Sequence, residues 1–494
     1  MLHREGIGVS RRGEPTGSGR VLALMIGSIA CASCAVRDYT PRTYPTFLDQ
    51  PSGETSAAPA DVAPAAGAEA TALESESTSP ADGGTTAPQQ VTLSEAEAEC
   101  LAADPRIRAG AEVLQQARAD LWTASLVPNP VLDTGGSLLP LGQPFNPTTA
   151  QGGPPQFDVG VAFPIDWLLF GKRSAAIDTA RAGVDVAAAE FADLVRQRLA
   201  ATIDAFYAVL EAKALLDLAR QDLDNFQHLQ QITEDLVRLG GAGTIENDRV
   251  RVSLLDSQRE VRRRAADLAI AKAALLSQLG RNRSEKGFDV DGQLDVPSPV
   301  RPVSAQQAFR IAQSYRPDVV AAQLHVDEAS RDAHKTETEA YPDVVPHVGY
   351  TRQFQSQSIG FPDVNAFGVG VDLSLPVFDR NQGNIEKAHS VLAQSRSELR
   401  ARLVDVRAEI EEVSRNYRFA YEAVTADAPL RIEAARNARD KIEAAYRVGG
   451  RPLIDVLDAQ RAFRDTQRLD VQDRAGYWQS LYRFNASVGK EVLR

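Results

Sequence analysis

Residues 446–460 read YRVGGRPLIDVLDAQ, and helical patterning runs into this stretch and out of it. Gly449-Gly450 predicts a helix end, because glycine takes left-handed backbone angles without penalty. Pro452 suits the first turn of the next helix, where its missing N–H costs nothing. Asp455 and Asp458 follow three residues apart and so share one helix face. An earlier stretch, 236–247 (LVRLGGAGTIEN), has the same grammar of helix, double glycine and helix. Aligning Gly240-Gly241 with Gly449-Gly450 also pairs Arg238 with Arg447 and Ile245 with Ile454. The match predicts a duplicated chain.

The duplication reaches well beyond these turns. A shift of 212 positions aligns Thr92 with Ser304, Pro105 with Pro317 and Pro130 with Pro342, without a gap. Each copy predicts a helix, a β-hairpin, a long helix and a shorter helix. The first repeat is 91–280 with its hairpin at 130–165. A connector, 281–302, leads to the second repeat, 303–494, with its hairpin at 342–377. In 156–165 (QFDVGVAFPI), Phe157, Val159, Val161 and Phe163 point one way and Asp158, Gly160 and Ala162 the other. In 367–377 (FGVGVDLSLPV) the same alternation returns, and Gly160-Val161 matches Gly370-Val371. Phe170-Gly171-Lys172-Arg173 opens a proline-free helical run to Leu239, which 378–383 (FDRNQG) parallels. The second long helix, about 385–448, is interrupted near Pro429. The shorter helices are 245–279 and 453–488.

Composition narrows the class. The chain has 54 Lys and Arg against 66 Asp and Glu, a net charge of -12, and no basic cluster, which argues against nucleic acid as a partner. Aromatic residues are 6%, and alanine is plentiful, as suits closely packed long helices. Cys31, Cys34 and Cys100 give neither a disulfide framework nor a zinc spacing. The six histidines form no close pair and no HExxH, so no metal site is expected. Neither a Walker loop nor a nucleophile elbow is present, so no catalytic residue is assigned.

Residues 1–34 read as an export signal, with Arg4, Arg11, Arg12 and Arg20 before the apolar run 21–30 (VLALMIGSIA). Cysteine follows at Cys31 and Cys34, and small residues before a cysteine here predict lipidation; Ala30-Cys31 fits the spacing better. Residues 35–90, rich in Ala, Pro, Ser, Thr, Gly and Glu, read as a low-complexity tether.

The lengths fit one another. A helix of 65–70 residues rises roughly 100 Å and one of about 35 residues roughly 50 Å, so two short helices end to end match one long one. The four strands, about 9–11 residues each, have the span of tilted transmembrane β-strands. Four strands cannot close a barrel, and open edges are not tolerated in lipid, so several chains must share one barrel. Three chains give about twelve strands.

With these features, residues 92–490 resemble the TolC-type outer-membrane efflux family. The duplication, the two hairpins, 361–385 (FPDVNAFGVGVDLSLPVFDRNQGNI) and 446–460 carry the resemblance. It implies a mainly α fold with a small β part. Duplicated long-helix hairpins would form a trimeric α-barrel, continuous with a shared twelve-stranded transmembrane β-barrel. The implied role is the exit duct of a tripartite efflux pump in a Gram-negative outer membrane, with a periplasmic helical extension. The implied partners are two further copies of the chain, outer-membrane lipid, a periplasmic adaptor and an inner-membrane RND-type pump. Small molecules or metal ions would pass. A type I protein-secretion channel has the same architecture and stays open as an alternative. A periplasmic coiled-coil adaptor or scaffold explains the helices and the export signal but not two matched hairpins.

The resemblance also gives roles to residues. Cys34-Ala-Val-Arg-Asp-Tyr is similar to the mature start of lipidated channels of the family, which makes Cys34 the expected lipid acceptor, with Cys31 as the alternative. In a trimer, Asp455 and Asp458 would form stacked carboxylate rings at the periplasmic entrance, raising local cation concentration and repelling anions. Tyr446 and Arg451 match residues that latch the closed tip, with Glu246 as partner. The family pattern has Thr-Asp where this chain has Ile245-Glu246. Gly240, Gly241, Gly449 and Gly450 are expected at the helix-turn-helix tips that adaptors grip. Phe163, Phe354 and Phe361 are candidates for an aromatic belt.

Overall fold

The computed structural model describes residues 90–137, 154–240, 243–281, 288–356 and 359–493. Cys31, Cys34 and Gly241, with the expected signal and nearly all of the tether, lie outside the described residues. Everything described belongs to one of two compact units, Thr71–Arg494.

The chain opens with β1 (Gln90–Val91), α1 (Leu93–Ala103) and α2 (Pro105–Ser125). The hairpin strands β2 (Val131–Ser137) and β3 (Gln156–Ala162) come next. A short helix, α3 (Asp166–Leu169), precedes the long helix α4 (Lys172–Arg238) and its partner α5 (Thr244–Gln278). β4 (Asp289–Val290) lies in the connector. The second half runs α6 (Ala305–Tyr315), α7 (Pro317–Thr338), β5 (Val344–Gln353) and β6 (Val364–Leu373). It continues with α8 (Gln382–Glu422), a π-helical turn (Ala423–Asp427), α9 (Ala428–Arg447) and α10 (Leu453–Val488).

Local chemistry explains most of the boundaries. Thr92 caps α1 with a full capping box, its hydroxyl accepting from Glu95 N–H and the Glu95 carboxylate from Thr92 N–H. Ser304, at the matching place, caps α6. The helix expected through Pro105 is two helices, because a residue before proline is pushed to extended angles. Asp104 (ψ 116) and Arg316 (ψ 119) both make that break. Gly171 and Asn381 open the two long helices with left-handed angles, φ 70 and φ 60. Asparagine is among the few non-glycine residues that tolerate this region. The interruption expected at Pro429 is a π turn at 423–427 followed by renewed helix. Proline lacks an N–H and clashes with the carbonyl four residues back, here Thr425, and the widened turn accommodates both.

α4, 67 residues and roughly 100 Å long, is the spine of the described unit. It packs against α2 and α7 along one part and α5 and α10 along another, so shorter helices share the length of one long helix. One core joins α1, α4 and α5 through Cys100, Phe206, Val209, Leu275 and Leu279, closed by the parallel pair β1–β4. A second joins α6, α8 and α10 through Ala308, Ile410, Tyr417, Tyr477 and Phe484. Trp478 packs against both cores and stacks on Tyr207, ring centroids 5.9 Å apart. The connector is pinned here: the Tyr417 hydroxyl donates to Val300 O at 2.6 Å, and Val300 N–H donates to the Tyr477 hydroxyl at 2.8 Å.

Each half carries a buried ion-paired node at the same place, with the charges exchanged. In the first half Asp104, 1% exposed, accepts from Arg198 Nε of α4 at 2.6 Å. In the second, Arg316, 4% exposed, occupies the matching position and donates to Glu409 of α8 at 2.5 Å. Arg316 also donates to Asp318 at 2.8 Å and to Ser487 O at 2.9 Å. Glycines close both nodes. Gly280 (φ 73) leaves no room for a Cβ against Ala103 O, and Gly489 (φ 75) none against Arg316 Cα.

The four hairpin strands form one antiparallel sheet in the order β2-β3-β5-β6. β5 and β6 are ten residues each, whereas β2 and β3 are seven, shorter than expected. Pairing continues past Ala162 through Phe163 N–H to Pro346 O and Ile165 N–H to Val344 O, both 2.9 Å. Pro164, without an N–H, cannot donate to a ladder.

Removing Arg316 leaves buried Asp318 with only the longer contact to Arg402, at 3.7 Å. Arg316→Ala is therefore expected to cost about 3–5 kcal/mol. Arg181→Ala, breaking an exposed pair with Asp178, should cost at most about 1 kcal/mol. Denaturant unfolding of the detergent-purified protein reads the difference, and equal losses contradict the node's role.

Candidate functional site: a two-faced sheet and a helical tip

Register decides what each face of the sheet carries. Val161 lies opposite Val348, which lies opposite Val369; Val159 lies opposite Tyr350, which lies opposite Phe367; Leu132 lies opposite Val161. Because successive residues alternate faces, these share one face with Phe157, Pro346, Val371 and Leu373. That face is apolar and open: Phe367 is 86% and Val369 85% exposed. The other face holds Asp133, Asp158, His347, Thr351 and Asp372 among Gly135, Gly160, Gly349, Gly368 and Gly370. Asp158 accepts from the Thr351 hydroxyl at 2.6 Å. Among the described residues, β2 and β6 each lack a strand neighbour on one side. The apolar rows are those expected from 156–165 and 367–377. Of the three belt candidates, Phe163 is 39%, Phe354 40% and Phe361 65% exposed.

At the far end of α4, two tips close the helical hairpins. Gly449 (φ 75) ends α9: its N–H donates to Tyr446 O at 2.9 Å, and Gly450 N–H donates to Ala445 O at 2.8 Å. Gly240 (φ 74) does the same for α4, donating to Val237 O at 3.1 Å. A Cβ on Gly240 or Gly449 would meet nothing within 4 Å, so both turns are open surface. Tyr446 is buried, in a small core with Phe226, Leu229, Val250, Leu453 and Val456. Its hydroxyl lies 3.5 Å from Thr233 Oγ1 of α4. Arg451 pairs with Asp455 at 3.3 Å, one turn along, rather than with Glu246. Glu246 sits in the first turn of α5, where the helix dipole favours an acid. Asp458 is exposed and 4.0 Å from Arg461. Asp455 and Asp458 stand on the same side of α10, each with an arginine at its flank.

One contact in this region has no local sequence signal. Asp222 of α4 accepts from Arg464 of α10 at 3.3 Å and from the Ser257 hydroxyl of α5 at 3.5 Å. Leu218, Asp222 and Arg464 line two half-open pockets, of about 610 and 350 Å³, so the tie stands between them. Burial pushes the Asp222 carboxyl above the usual carboxylate range, and Arg464 opposes the shift. Among the described residues, no group of three or more His, Cys, Asp or Glu could hold a metal ion, and no helix is long and apolar enough to cross a membrane.

Comparison with known proteins places this architecture. The sequence profile of the outer membrane efflux proteins matches residues 98–281 and again 309–490. The chain belongs to the outer membrane efflux protein family. It is 25% identical over 355 residues to the cobalt-zinc-cadmium resistance protein CzcC of Cupriavidus metallidurans, covering 72% of this chain and 79% of that protein. It is 23% identical over 356 residues to OpmQ, a pyoverdine export outer membrane protein of Pseudomonas aeruginosa, covering 67% of this chain and 68% of the other. The crystal structure of CusC, at 17% identity, superposes with a TM-score of 0.67 over 84% of this chain and 96% of that one. The fold is that of these channels, long helices with a small β part, and the protein is an outer-membrane efflux channel protein.

A carboxyl whose pKa is raised in the folded state takes up its proton early as pH falls. The folded state therefore holds this proton more tightly than the unfolded chain, so the ionised Asp222 is a cost that Arg464 only partly offsets and that protonation relieves as pH falls. Asp222→Asn, which removes the buried charge, should mimic acidification and hold α10 on α4 at least as firmly as wild type does at neutral pH. Amide exchange across residues 428–475 reads this: equal or slower exchange in the variant is expected, and faster exchange contradicts it.

Proposed function

We propose that three copies of this chain form a continuous duct, a twelve-stranded barrel in the outer membrane above a periplasmic helical tunnel. The observation that carries the proposal is the two-faced sheet with both edge strands unpartnered. Its apolar face suits hydrocarbon and its glycine- and carboxylate-bearing face suits water, but a four-stranded sheet leaves unpaired backbone groups that lipid does not tolerate. Two further copies complete the wall with the strand number known for such barrels.

The duct serves a tripartite pump: an inner-membrane RND-type transporter supplies the cargo, and a periplasmic adaptor joins the two. The cargo is small molecules or metal ions, a range supported by the names of CzcC and OpmQ. Gly240, Gly241, Gly449 and Gly450 form the tips the adaptor grips, and the openness of Gly240 and Gly449 supports this. Asp455 and Asp458 form the entrance rings. Tyr446, Arg451 and Glu246 form the latch, in which buried Tyr446 holds α9 on α4 while Arg451 restrains Asp455. A lipid on Cys34, or on Cys31, tethers the mature chain to the membrane.

Single-channel recording of the purified protein tests the ring assignment. Asp455→Ala combined with Asp458→Ala should weaken block by a trivalent cation at least tenfold, the equivalent of about 1.4 kcal/mol. Unchanged block removes these residues from the pore. In the same assay Arg451→Ala should raise conductance, and a charged residue at Gly449 should abolish co-purification with the adaptor.

A further inference from the structure

The inner face of the sheet carries one group that the entrance rings do not explain. From the register, the residues facing away from the apolar side are Val131, Asp133, Gly135 and Ser137 on β2, and Gln156, Asp158, Gly160 and Ala162 on β3. On β5 they are Val345, His347, Gly349, Thr351 and Gln353, and on β6 Val364, Ala366, Gly368, Gly370 and Asp372. No lysine or arginine is among them, and no aspartate or glutamate of these strands is on the apolar face. Arg352, on the apolar side near the strand end, is tied to Asp363 at 3.3 Å. The charge of this face is therefore set by three aspartates and a single histidine per chain.

His347 is built into the wall rather than loose on it. Gly370 lies directly opposite it, and a Cβ at Gly370 would run into the imidazole. On its other side stands Ala162 of β3, also small. The imidazole Nδ1 is 3.3 Å from Asp372 Oδ2, two residues beyond Gly370 on β6. The remaining charged groups near its level are Asp133 of β2, which lies opposite Gly160 of β3, and Asp158, which Thr351 holds. At the start of β5, four residues away, Asp343 is already paired with Lys172 at 2.7 Å. Glycine at most of the surrounding inward positions leaves His347 and Asp372 as the long side chains at their level.

We infer that His347 determines the ion preference of the strand section of the duct and makes it respond to pH. The inference rests on the duct reading. With His347 neutral, Asp133, Asp158 and Asp372 of each chain give the wall an uncompensated negative field that favours cations. Histidine is the side chain that ordinarily changes charge between pH 5 and 8. A proton on His347 places a cation beside Asp372 in all three chains and removes about a third of that field. The duct then discriminates less between cations and anions on the acid side than on the alkaline side. This filter is separate from the entrance rings on α10, which lie at the other end of the long helices.

The test is the reversal potential of the full-length purified protein in planar bilayers across a potassium chloride gradient, from about pH 8 to about pH 5. Wild type should shift toward lower cation preference as the pH falls. His347→Gln should lose that shift. Asp372→Asn should lower cation preference already at the alkaline end. Combined Asp455→Ala and Asp458→Ala, which leaves the strands untouched, should keep the shift. A full shift in His347→Gln, or its loss in the Asp455/Asp458 variant, overturns the inference. So does conductance whose ion preference is independent of pH in wild type, which leaves the duct standing. No conductance from the wild-type protein overturns the duct and the inference together.

Discussion

An unpaired strand edge cannot stay in hydrocarbon, and the described residues of this chain present two of them. β2 and β6 border a sheet whose one face is a run of exposed Leu, Val and Phe and whose other is glycine and carboxylate. Each unsatisfied backbone group would cost several kcal/mol in a medium that offers no hydrogen bonds. Helices escape the problem because their bonds lie within the segment; strands do not. The sheet therefore makes assembly a condition of membrane residence, and in the proposed trimer the helical part presents three identical copies in register beneath it.

The helical part meets that demand with stiffness and with identity. Stiffness comes from α4 and from α8 with α9, each long enough to take shorter helices along its length. Identity comes from the exchanged nodes. The two halves repeat the same order of elements, so in the proposed ring of six half-units each short helix pair would meet similar long helices. An aspartate at the first break and an arginine at the second, each matched by the opposite charge on its own long helix, discriminate the right pairing from the wrong one. A mispaired half would bring like charges together in a buried place.

Much of this was legible in the sequence. The boundaries of α10, the long run of α4 and the apolar rows of β3 and β6 follow from periodicity and from the glycine and proline punctuation. The breaks at Asp104 and Arg316 needed only the rule for residues before proline. The π turn at 423–427 was visible as an interruption at Pro429, but not as the wider turn that keeps the helix going. What the sequence hid were contacts between distant elements. Asp222 and Arg464 are 242 positions apart and neither sits in a motif. The burial of Tyr446, and the choice of Asp455 over Glu246 by Arg451, depend on how hairpins pack. The polar face of the sheet was readable strand by strand, yet the pairing of His347 with Asp372 required the register.

The most direct test is the mass of the intact protein released from detergent micelles. The account predicts a particle of three chains, extracted from membranes only with detergent. A single chain that stays folded and soluble in water without detergent would contradict it, because its sheet would then have both edges open and its apolar face bare.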